Sequence, residues 1–118
     1  MKKTEQRKAM ARVFAKYFRL GLDDPSLSVF DVCRRISGTQ RDILRANELF
    51  AAWATCKILR DRKKSEDMDL FFAAYLGRKQ NVTALAIKRY YDERTLYRRL
   101  EGVERQYQMI LKSLNAKK

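Results

Sequence analysis

"DERTLYRRLEGVERQYQMILKSL", residues 92–114, decides the fold. Leu96, Leu100, Val103, Tyr107, Ile110 and Leu114 follow alternating steps of four and three, the spacing that lines apolar side chains along one stripe of a helix. That stripe has two uses, packing back on the N-terminal helices or pairing with a second copy of the chain, and the residues leave both open. Gly102 interrupts it at a cost of about 1 kcal/mol relative to alanine, which predicts a bend.

Nothing upstream argues for strands. One proline and four glycines in 118 residues provide few turns, and no alternation of apolar and polar residues is long enough for a sheet, so the chain reads as all-α. A first helix is expected from about Thr4 to Leu20, with Met10, Val13, Phe14, Tyr17 and Phe18 inward and Lys8, Arg12, Lys16 and Arg19 facing away. Gly21 and the residues around Pro25 end it. A short second helix follows, with Asp24 or Ser26 as its cap, apolar positions at Val29, Phe30, Cys33 and Ile36, and Gly38 as its stop. Thr39 is expected to cap a third helix running from Gln40 to about Arg62. Phe50 and Trp53 lie on one side of that helix, and Leu49, Ala52, Cys56 and Leu59 on another. So wide an apolar surface fits either a central helix packed on two sides or a dimer seam.

"RDRKKSEDMD", residues 60–69, is the clearest boundary, since its charge flips from basic to acidic. It divides the chain into an N-terminal helical subdomain, residues 1–64, for oligomerisation or partner contact, and a C-terminal segment, residues 65–118. Ser65 is expected to cap the next helix, with Glu66 and Asp67 near its positive end. That compact apolar helix stops at Gly77.

Charge narrows the function. Lys and Arg number 27 against 14 Asp and Glu, a formal charge of +13, while 46% hydrophobic residues are enough to bury a core. The expected partner is therefore anionic. No apolar run approaches the roughly 18 residues of a spanning helix, and the N-terminal residues carry charge throughout, so a soluble cytoplasmic protein without a membrane partner is expected. Cys33 and Cys56 read as two buried, reduced thiols. There is no histidine to join them, and no metal or other cofactor is expected. No glycine-rich phosphate loop or nucleophile with a partner base points to an enzyme.

The function concentrates in residues 81–103. Asn81 is a reasonable cap for a short helix with Leu85 and Ala86 inward, Tyr90 and Tyr91 occupy a turn, and Asp92 caps a new helix beginning at Glu93. That helix anchors itself through Leu96, Leu100 and Val103, which leaves Arg94, Thr95, Tyr97, Arg98 and Arg99 to the outside. The spacing of Leu85 and Ala86, then Asp92, Thr95, Tyr97 and Arg98, resembles the helix-turn-helix of sigma-factor region 4, and the resemblance covers about residues 67–103. In layout the chain is also similar to phage late-gene activators of the ArpU and RinA type. Arg89 stands where the family usually has a buried aliphatic, and Tyr90 replaces its common turn glycine.

The resemblance implies a sequence-specific regulator of transcription on double-stranded DNA, encoded by a phage or mobile element, associated with the nucleoid and in contact with RNA polymerase. In such motifs the second helix enters the major groove. Arg94, Thr95 and Arg98 would then read base edges. Arg78, Lys79, Asn81, Thr83, Lys88, Arg89, Tyr97 and Arg99 would hold phosphates. A small-terminase-like packaging protein and a non-catalytic polymerase-binding adaptor are the alternatives, and a homodimer is compatible with each.

Overall fold

The computed structural model describes residues 3–76 and 92–116. Among the described residues every regular element is a helix: α1 (Lys3–Arg19), α2 (Val29–Thr39), α3 (Ile43–Asp61), α4 (Ser65–Tyr75) and α5 (Glu93–Asn115). The chain is all-α, as its composition and periodicity require.

The helices are arranged around α3, which touches each of the other four. Its buried face consists of Leu49, Ala51, Ala52, Thr55, Cys56 and Leu59. Ala51 and Ala52 keep that face low, so neighbouring helices approach closely. Thr55 is buried and returns its hydroxyl to the Ala51 carbonyl at 2.7 Å, so its polar group is satisfied within the helix. Phe50 and Trp53 form a half-buried ring pair with centroids 5.4 Å apart, packed against the core. The wide apolar surface of α3 is therefore used inside the chain.

The stripe on α5 is used there as well. Leu96, Leu100, Val103 and Tyr107 are buried, and Ile110 and Leu114 are partly covered. The two helices meet at their ends through Asn47 Nδ2, which donates to Asn115 Oδ1 at 3.0 Å. Helix α5 runs unbroken through Gly102, where a Cβ would meet nothing within 4 Å. Phe14 closes the core from α1. Its ring lies 5.6 Å from those of Phe71 and Phe72 on α4 and 5.9 Å from that of Tyr107 on α5. The boundary at residues 64 and 65 falls in a turn, with Lys63 in the left-handed region (φ 58) and Lys64 N donating to Leu59 O at 2.7 Å. Helices before and after it share one apolar core.

Several local expectations are corrected. Helix α2 is capped by Ser28, which exchanges hydrogen bonds with Asp31 in a capping box, whereas Asp24 instead accepts from Ser26 in the preceding turn. Those bonds from Ser28 hold the Asp31 carboxyl below its ordinary range. Val32 and Ile36, four residues apart, are the positions α2 buries, while Val29 and Phe30 face outward and Cys33 is exposed. Two phases fit the apolar residues of this short helix, and packing against its neighbours selects the one that buries Val32 and Ile36. Helix α2 continues past Gly38 to Thr39, whose hydroxyl bonds back to the Arg35 carbonyl while Gln40 N donates to Ile36 O at 2.8 Å, and Asp42 caps α3 in place of Thr39 by accepting from Leu44 N at 2.9 Å. Ser65 is the first residue of α4, not its cap, and Lys64 occupies the cap position without a side-chain bond. Gly21, by contrast, ends α1 as expected, at φ +69 with its carbonyl accepting from Arg35 Nη1 at 3.2 Å.

Phe14→Ala should cost about 3–5 kcal/mol in urea denaturation, whereas Phe30→Ala, at a side chain 81% exposed, should stay within about 0.5 kcal/mol. Burial pushes the Cys56 thiol from an ordinary 9.0 up to about 11. The fold favours the protonated thiol, so its contribution to stability is complete below pH 9.0 and is lost as pH rises through about 11. With a thiol reagent near neutral pH, Cys33 should react at once and Cys56 only on unfolding; equal rates would contradict the burial.

Candidate nucleic-acid interface

The site is built from the start of α5. Asp92 stands at the N-cap position with extended backbone (φ −64, ψ 135), so the helix begins at Glu93. The Asp92 side chain makes no capping hydrogen bond. Four inward residues then fix the helix's rotation. At about 100° per residue, the direction shared by Leu96, Leu100, Val103 and Tyr107 leaves Arg94 and Arg98 on the far side, about 150° or more away. Both are exposed. Thr95 lies at the flank and is half-buried.

The same geometry separates the remaining cations. Arg99 turns toward α4, with Nη1 3.3 Å from Asp67 Oδ1 and 3.6 Å from Glu66 Oε2. It acts as a clamp between the two helices. Tyr97 is half-buried and lies beneath the Arg7 guanidinium, 5.7 Å from the ring centroid. Arg7 also donates from Nε to Glu104 Oε1 at 2.5 Å and lies 3.9 Å from Glu101. Burial works against its charge, but Tyr75, Glu104 and Glu101 outweigh burial and hold its pKa above the ordinary value. Helix α1 is thereby held to the flank of α5 that carries Tyr97.

Arg7 and Arg105 were not singled out from the sequence. Arg105 is exposed and lies seven residues after Arg98, so it continues the same outward face. The seven-residue step could have located it. Arg7 carried no such signal, because the pairing with Glu104 spans 97 residues. Arg78, Lys79, Asn81, Thr83, Lys88 and Arg89, together with Gly77, Leu85, Ala86, Tyr90 and Tyr91, lie outside the described residues. The structure therefore brings together Arg94, Arg98 and, at the flank, Thr95. It assigns Arg99 and Tyr97 contacts within the chain.

Arg94 and Arg98 stand in the first turns of α5 beside two exposed carboxylates, Asp92 and Glu93, so the attraction for an anion comes from the chain's net charge of +13 more than from the helix end itself. Among the described residues no group of His, Cys, Asp and Glu is arranged to hold a metal ion. Nor, among the described residues, is any helix long and apolar enough to cross a membrane. Comparison with known proteins gives no match: no family model, no curated protein and no solved structure matches this chain.

Proposed function

We propose that the chain is a sequence-specific double-stranded DNA-binding regulator of transcription that presents α5 to the major groove. The observation that supports this reading is the outward pair Arg94 and Arg98 on a helix that starts at Glu93 and is anchored by Leu96, Leu100 and Val103. An arginine fork can donate two hydrogen bonds to a guanine edge, and the first turns of a groove helix are the part that reaches base edges. Arg105, on the same face, serves as a phosphate contact further along. Tyr97 and Arg99 are better read as positioning residues than as phosphate ligands, because their groups already hold α1 and α4 against the helix. RNA polymerase is the protein partner this reading favours, with the cytoplasm of a bacterial or phage-infected cell as its place of action.

Binding of duplex DNA should weaken steeply with salt, each phosphate contact adding about 0.9 to the slope of log affinity against log salt. On a site selected from a random duplex library, Arg98→Ala should cost about 1–3 kcal/mol at one base position while random duplex loses less. Equal losses on all sequences would make Arg98 a phosphate contact. Affinity indifferent to salt would remove the DNA reading altogether. A large closed ring by sedimentation would point to packaging instead of transcription.

A further inference from the structure

The basic row on α1 plays no part in the α5 interface, and the fold gives it a second wall. Arg12, Lys16 and Arg19 from α1 face Gln40 in the α2–α3 connection and Arg45 and Glu48 in the first turns of α3, across a cleft of about 290 Å³. Four cations therefore meet one carboxylate. That carboxylate, Glu48, lies 3.7 Å from Arg45, and among the described residues Arg12, Lys16 and Arg19 have no acidic group in ion-pair reach. Like charges four residues apart, as in Arg12 and Lys16, destabilise a helix, and a concave wall concentrates their potential. Lys16 Nζ donates to Gln40 Oε1, which fixes the rim and leaves the Gln40 amide nitrogen as a further donor.

We infer that this cleft binds phosphate groups through Arg12, Lys16, Arg19 and Arg45. Guanidinium forks match phosphate oxygens in pairs, and a lysine adds a point charge. The volume lies at the lower end of small-molecule sites, which suits a compact anion. The cleft is also separate from the α5 arginines. Tyr107, whose phenol feels the Glu48 carboxylate, is about 14 Å along α5 from Arg98. The inference therefore stands without the DNA reading. A free polyphosphate-bearing molecule and the backbone of a duplex share the required chemistry.

Calorimetric titration of the whole chain with inorganic tripolyphosphate, at matched ionic strength, tests the assignment. Arg12→Gln with Lys16→Gln should lower affinity about tenfold, Glu48→Gln should raise it about twofold, and Arg94→Gln with Arg98→Gln should leave it unchanged. Absence of binding by the parent chain, no loss in the first pair, or an equal loss in the Arg94 and Arg98 pair overturns the site. The Glu48→Gln arm keeps the test decisive if the first pair melts early, since a fall or no change in affinity there counts against the cleft. A short duplex titrated into the same variants identifies the source. Loss in the Arg12 and Lys16 pair assigns the cleft to backbone phosphates, and retained duplex affinity beside lost tripolyphosphate affinity assigns it to a free phosphate-bearing molecule.

Discussion

The ring of Phe14 is the contact on which the arrangement rests. It is fully buried and meets aromatic rings from α4 and α5 within 6 Å, so one side chain of α1 closes a core assembled from residues almost a hundred positions apart. Aromatic pairs at such offsets and tilts contribute about 0.5–1.5 kcal/mol each beyond the area they bury. Tyr17 and Phe18 extend the cluster along α1 toward Phe72, and half-exposed Phe18 stacks edge-on with centroids 4.9 Å from that ring. Helix α1 reaches α5 through long side chains, Phe14 to Tyr107 and Arg7 to Glu104, while α3 supplies the close backbone approach.

From that packing follows the division of labour among the cations. A helix with four buried positions in one row has no freedom to rotate, so each arginine on α5 has a fixed direction. Arg99 points at the acidic first turn of α4, where Glu66 and Asp67 stand at the helix's positive end. Arg94, Arg98 and Arg105 point at solvent. Exposed ion pairs contribute little stability, about 0–1 kcal/mol, so the Arg99 clamp matters more for the angle between α4 and α5 than for the free energy of folding.

Helix class, the α5 seam and the inward set on α3 were legible because each rests on repeated spacing over many residues. Eleven-residue α2 was less legible. Two phases fit its apolar residues, and the choice between Val32 and Cys33 was made by the neighbours it meets, which no local pattern contains. Caps went astray for a related reason: Asp24, Ser26, Ser28, Thr39, Asp42 and Ser65 all carry capping oxygens, and the backbone direction at the entry decides which is used. At the candidate interface the outward arginines were readable from the seam opposite them. The partners of Arg7 and Arg99 were not, because an ion pair between distant segments leaves no trace in sequence spacing.

Gly102 belongs to the outward side of α5, beside Arg98 and Arg105. Glycine in a helix interior lowers stability by about 1 kcal/mol relative to alanine, and among the described residues no neighbour occupies the space that a methyl group there would fill. The arginine-bearing face consequently has a bare saddle of main chain with a tall cation on either flank.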